Sequence, residues 1–263
     1  MREEAIQFGP GGRLAGVLTT PASGTPRECV GLVNSGLMPR SGPYRVYTQL
    51  ARRLAKEGVA SFRFDLGGLG DSAAGISGRL RDRTRHEIGA AVGVLTERFP
   101  DAALTLGGIC SGAEDSFRYA EGDARVSRLI MIDPFDHRTL AWRLRIGIGQ
   151  SLRTLGLRGK REAGEDTELI EYQYMAFEES SRILRQQAER GSRIHFVYSS
   201  VRRHPPALHG VVTNPDARRR ITMDVLPMIG HMQLLQGERD LLIGTILRRL
   251  TEGPHTSAPL PTK

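Results

Sequence analysis

Short apolar runs alternate along the chain with longer stretches whose apolar positions recur every three or four residues. The runs at 12–20, 29–34, 59–65, 102–109, 126–132, 194–198 and 221–226 are predicted strands. The stretches between them are predicted helices. Over 44–58, Tyr44, Val46, Leu50, Leu54 and Ala55 share one face, and Gly58 stands where a helix-ending glycine belongs. Ile88, Ala91, Val92, Val94 and Leu95 mark a second helix that stops near Pro100, and 111–119 and 238–250 give two more. The segment 136–191 reads as helical throughout. This alternation predicts an α/β fold, a mostly parallel twisted sheet with helices on both faces. In such sheets ligands bind outside the carboxyl ends of the strands.

Composition adds bounds to that picture. With 263 residues, 39% of them hydrophobic, the chain can bury one core. The expected core comprises 1–135 and 192–250, with 136–191 as a helical cap insertion. The Pro-, Thr- and Ser-rich stretch 251–263 is an expected disordered tail. No run of about 18 apolar residues is present, so no membrane span is predicted. Met1-Arg2-Glu3-Glu4 lacks the apolar stretch of a secretory signal, and Cys29 and Cys110 are the two cysteines. A cytoplasmic location with both thiols reduced is the expectation.

The formal net charge is +8, with Arg spread over most predicted helices, which reads as a solvated surface and not as a nucleic-acid site. One cluster stands apart. Arg138, Arg143, Arg145, Arg153, Arg158, Lys160 and Arg161 have no acid among them, and Leu140, Leu144, Ile148, Leu152 and Leu155 recur there at helical spacing. It reads as an amphipathic cap helix with a solvated basic face. Alternatively that face docks an anionic partner, such as an acyl carrier protein or coenzyme A, or a membrane surface.

The chemistry centres on Gly108-Ile109-Cys110-Ser111-Gly112, which follows a predicted strand and opens a predicted helix. A turn this tight leaves no room for side chains two residues either side of the nucleophile, hence the glycines. It also sets Cys110 at a helix N-terminus, where N–H groups and the helix dipole favour an anion. The Ser111 N–H is placed to face a developing oxyanion. An inert buried cysteine, or Ser111 as nucleophile, are the alternatives; Ser111 is off the central position.

With this motif the chain resembles the α/β-hydrolase superfamily, in a form with Cys as nucleophile. Asn34-Ser35-Gly36-Leu37 matches the family's oxyanion loop, and the resemblance implies that Leu37 gives the second oxyanion N–H. The stretch from Asp65 to Ser72 is similar to the family's D-x-x-G-x-G-x-S turn, with Asp65 as its structural anchor. Gly230-His231 stands where the catalytic histidine belongs. More narrowly, the stretches 50–58 and 64–72 resemble small hydrolases associated with exosortase or with polyketide and peptide synthesis clusters. Cysteine at this place is similar to dienelactone hydrolases and polyhydroxyalkanoate synthases.

His231 is the candidate base; His86, His195, His204, His209 and His255 lie in less telling positions. The acid departs from the family pattern. Its usual place follows the strand 194–198, but the chain there reads Ser199-Ser200-Val201-Arg202-Arg203-His204, and Asp216 comes only after a loop. Asp133, after the strand at 126–132, matches the arrangement of some lipases, with Asp136 second and a Cys–His dyad as the fallback. No metal-ligand spacing or dinucleotide fingerprint is present, so no cofactor is expected. The reading is an esterase- or thioesterase-like hydrolase with a Cys-His-Asp triad. The alternatives are an acyltransferase or cyclase, or a non-catalytic binding protein of the same fold.

Overall fold

The computed structural model describes residues 1–74, 79–134, 175–199 and 211–251. Their eight strands form a single sheet: β1 (Arg2–Phe8), β2 (Leu14–Thr20), β3 (Glu28–Val33), β4 (Ala60–Phe64), β5 (Ala103–Ile109), β6 (Val126–Ile132), β7 (Arg193–Ser199) and β8 (Ile221–Leu226). Their order in space is β1-β2-β4-β3-β5-β6-β7-β8. β2 runs antiparallel to β1 and β4, and every other pairing is parallel. The helices are α1 (Val46–Lys56), α2 (Leu80–Arg98), α3 (Ser111–Glu121), α4 (Phe177–Glu189), the short α5 (Pro215–Arg218) and α6 (Gln236–Thr251).

The central strands read as continuous apolar runs because helices cover both faces of the sheet. Along β3, Cys29 and Val33 join a core with Ile88, Val92 and Leu95 of α2 and Phe117 of α3. The intervening Val30 and Leu32 join a second core with Leu50 and Leu54 of α1 and Ile243 and Ile246 of α6. Ile183 and Leu184 of α4 are fully buried in the first of these cores. The end of the 136–191 segment is therefore packed with the sheet's own helices. The rest of the expected cap, with its basic run and Asp136, lies outside the described residues, as do 200–210 and the tail 252–263.

Two expectations need correcting. β1 was not foreseen: its Glu3 and Glu4 break the apolar pattern, yet it closes the sheet edge, where those carboxylates pair with Arg52, Arg63 and Arg98. Tyr44 does not belong to the buried face of α1. It is half exposed, with Tyr44 and Arg45 at positive φ behind Gly42-Pro43, and the helix starts at Val46. Tyr47 is the buried aromatic instead.

β4 and β5 lie on opposite sides of β3, so the strand order reverses between β3 and β5. The carboxyl ends of those two strands flank the crevice where such sheets take a ligand.

Candidate active site

Cys110 sits in the turn between β5 and α3 at φ 54°, ψ −119°, a conformation that costs a non-glycine residue and persists only where its surroundings impose it. They do so here. A Cβ at Gly108 would lie 2.6 Å from the Gly112 carbonyl carbon, and one at Gly112 would overlap the carbonyl oxygen of Asn34. Both glycines are therefore required by close backbone approach. The Cys110 N–H donates to the Ile132 carbonyl at the end of β6, at 2.8 Å, which ties the turn to the neighbouring strand. Cys29 and Cys110 are free, and Cys29 is fully buried with its thiol pushed up to about 12 by burial.

The loop after β3 faces this turn. Ser35 to Met38 form a tight turn closed by Met38 N–H to Ser35 O, 2.9 Å. The Gly36 N–H donates to the Ser111 hydroxyl at 2.7 Å, whereas the N–H of Leu37 meets no acceptor among the described residues. Asn34 braces the loop from within, its amide donating to Met38 O and its carbonyl accepting from Leu66 N–H, both at 2.8 Å. Asp65, fully buried, accepts from the Arg40 N–H at 2.6 Å, from the Arg40 guanidinium and from the Asp71 N–H at 3.2 Å. Asp65 is thus the anchor that the sequence suggested, and it holds the loop after β3 as well as its own glycine turn. A Cβ at Gly70 would overlap its carboxylate.

Asp133 and His231 meet. Asp133 ends β6 at φ 46° and is fully buried; its Oδ2 lies 2.8 Å from Nδ1 of His231. Its Oδ1 accepts the Ser199 N–H at 2.8 Å, and its own N–H donates to Val197 O at 2.9 Å. A carboxylate from β6 thereby occupies the end of β7, where sequence reasoning found no acid. Burial opposes its charge, but the hydrogen bonds from His231 and Ser199 outweigh that and hold its carboxyl below the usual range. His231 is raised to about 9, first by the Asp133 carboxylate and second by the Cys110 thiol, against the opposing effect of burial. The single imidazole is thus influenced by both groups. Asp216, by contrast, is exposed in α5 beside Arg219 and far from any such role.

The histidine loop is held by side chains. Glu238 accepts from the N–H groups of Gly230 and Leu235, each at 3.0 Å. Buried Gln233, at φ 47°, donates to the His231 carbonyl, and Arg239 binds the carbonyls of Gln233 and Leu234. A cavity of about 290 Å³ opens beside His231, walled by Ser35, Leu37, Met38, Ile109 and Met232 among others. His195 is a buried strand histidine bound to Thr222 and Asp224, and no group of three metal-binding side chains occurs among the described residues. Sequence reasoning missed Tyr47, whose hydroxyl lies under the elbow.

No family model and no curated protein sequence matches the chain. Solved structures do. An alpha/beta hydrolase, GrgF from Penicillium sp. sh18, aligns with a TM-score of 0.60 at 14% identity, over 95% of this chain and 99% of that one. An alpha-beta serine hydrolase homologue from Coxiella burnetii aligns with a TM-score of 0.60 at 18% identity, over 95% and 97%. Est1E from Butyrivibrio proteoclasticus gives 0.59 at 14% identity, over 94% and 98%. Where the names of such neighbours say serine hydrolase, this chain carries Cys110 at its elbow. Strand order, the reversal between β3 and β5 and these likenesses agree: the chain has an α/β-hydrolase fold.

Proposed function

We propose that the protein is an acyl-transferring enzyme acting on esters or thioesters, with Cys110 as nucleophile, His231 as base and Asp133 as the group that orients His231. The observation that carries the reading is a histidine hydrogen-bonded to a buried carboxylate at 2.8 Å and influenced by the thiol of a cysteine held at φ 54° in a strained turn. An inert structural thiol would need neither the strained turn nor the histidine.

The chemistry follows from the partners. Ionised Asp133 can only accept, so Nδ1 of His231 carries a proton towards it and Nε2 is left for Cys110. Cys110 reacts as the thiolate with its proton held on Nε2 as imidazolium, and the sulfur attacks the acyl carbonyl carbon. The negative charge that forms on the carbonyl oxygen is received by backbone N–H groups, those of Ser111 and Leu37. When the tetrahedral adduct collapses, the bond to the leaving alcohol or thiol breaks and His231 returns the proton to it. Water, or an alcohol or amine acceptor, is then deprotonated by neutral His231 and releases the acyl group from sulfur. Ser111 is the less suited nucleophile, because its hydroxyl already accepts the Gly36 N–H.

Hydrolysis and transfer share every step but the last. Turnover of a panel of acyl thioesters and esters, with products separated in the presence and absence of an amine acceptor, distinguishes them. Wild-type turnover that Cys110→Ala abolishes supports the reading, and equal turnover by Cys110→Ala would refute it. Delivery by an acyl carrier or coenzyme A rests on the basic run from Arg138 to Arg161, which lies outside the described residues. Changing Arg143, Arg145 and Arg153 to Glu is expected to raise KM for carrier-bound substrate and not for a small thioester. The free thiols fit a reducing, cytoplasmic setting.

A further inference from the structure

We infer that two hydroxyl groups, those of Tyr47 and Ser111, set the separation between the nucleophile turn and the loop that carries Leu37, and so act as positioning residues for acyl transfer. The inference rests on the proposed role of Cys110 and extends it to side chains that the G-x-C-x-G motif does not require.

β3 and β5 pair in register as far as Val33 and Gly108. One residue further, the connection runs through a side chain. The Ile109 N–H donates to the Tyr47 hydroxyl at 2.8 Å, and that hydroxyl donates to the Val33 carbonyl at 3.0 Å. The phenol thus stands between the strands as one additional rung, at the point where the strand order reverses and the crevice begins. Tyr47 is fully buried and both of its partners are main-chain groups, so removing the hydroxyl leaves a donor and an acceptor unpaired.

The second bridge lies on the other side of the nucleophile. The Ser111 hydroxyl accepts the Gly36 N–H at 2.7 Å, one residue before Leu37. The residue before Cys110 and the residue after it are therefore each tied by a hydroxyl to the segment that runs from Val33 to Tyr47. That segment is closed on itself. It leaves the sheet at Val33, turns at 35–38, and returns to Tyr47, whose N–H donates to Ser41 O at 3.0 Å. A Cβ at Gly42 would lie 2.8 Å from the Tyr47 ring, so the returning chain packs directly against it. Shifting either hydroxyl shifts the Leu37 N–H relative to Cys110. Misplacement of about 1 Å costs on the order of a hundredfold in rate.

The test compares Tyr47→Phe, Ser111→Ala, Ser111→Thr and Cys110→Ala with Leu54→Val, an α1 core control away from both bridges. Tyr47→Phe and Ser111→Ala are expected to lower kcat by about tenfold or more with KM little changed, while the acyl group still lands on Cys110. Ser111→Thr is expected to recover most of the loss, and Leu54→Val to keep wild-type kcat. Amide hydrogen exchange gives a readout independent of substrate: faster exchange at Ile109 in Tyr47→Phe and at Gly36 in Ser111→Ala. Active wild type, inactive Cys110→Ala and unchanged kcat in both hydroxyl variants would overturn this inference alone. Full activity in Cys110→Ala would instead overturn the nucleophile assignment. If nothing in the panel turns over, the exchange data decide, and unchanged protection at Ile109 and Gly36 would sink the inference.

Discussion

The two sides of the site are built by different means. The nucleophile side is held by close main-chain contacts, bridged by two hydroxyl groups. Cys110 N–H bonds to β6, Gly108 and Gly112 press backbone on backbone, and Ile109 is tied to β3 through Tyr47. The histidine side is a loop between β8 and α6, held by Glu238, Gln233 and Arg239, with Met228, Leu234 and Leu235 exposed. One side is a strained turn that the core over-determines, and the other a surface loop tuned by side chains. Damage to the backbone packing of the first should therefore register as lost folding, and damage to the second as lost function in a folded protein.

The largest effect is expected at Gly112. An alanine there overlaps the Asn34 carbonyl, which belongs to backbone and cannot swing aside. Gly112→Ala should cost about 3 kcal/mol or more, read by denaturant unfolding. Asp133→Asn comes next. It should lower kcat on the order of a hundredfold, because the amide no longer favours the Nδ1–H tautomer that leaves Nε2 to Cys110. Steady-state kinetics at fixed pH check it.

The pH profile sharpens the comparison further. His231 is raised to about 9, so the imidazolium that protonates the leaving group is lost as pH rises through that value, and kcat should fall there. In Asp133→Asn the alkaline limb should move down towards the ordinary histidine range. The stability consequence has a definite sign. A histidine raised on folding stabilises fully below its unfolded value of about 6.5, and this contribution is lost as pH rises towards 9. Asp133, lowered on folding, contributes above its unfolded value near 3.8 and loses that contribution as pH falls through its lower folded one. Thermal unfolding across pH should show the pair contributing most between about 4 and 6.5.

The smallest effect is expected on the loop. A Cβ at Gly230 would meet only Glu238 Oε1 at 3.5 Å, an ordinary contact. Gly230→Ala should change stability by no more than about 0.5 kcal/mol. Equal losses at Gly112 and Gly230 would break the contrast.

The elbow was legible in the sequence because its glycines are imposed by steric contact, and sterics leave a signature in residue identity. The parallel sheet was legible because helices on both faces turn its strands into apolar runs. β1 was hidden by Glu3 and Glu4, whose partners Arg52, Arg63 and Arg98 are remote in the chain. The proposed acid was readable only as a choice between Asp133, Asp136 and no acid at all, because what favours Asp133 is its contacts with Ser199 and His231 across two other strands. Tyr47 could not be read at all. Its role lies in a hydroxyl bridging two strand ends, and by periodicity Tyr44 looked the better core residue.

The central claim is that the sulfur of Cys110 takes up the acyl group. Intact-protein mass spectrometry after mixing with short acyl thioesters, followed by peptide mapping, addresses it directly. The account predicts a single acyl adduct on Cys110 that is absent in Cys110→Ala and persists longer in Asp133→Asn. An adduct mapped to Ser111, or one retained by Cys110→Ala, would contradict it.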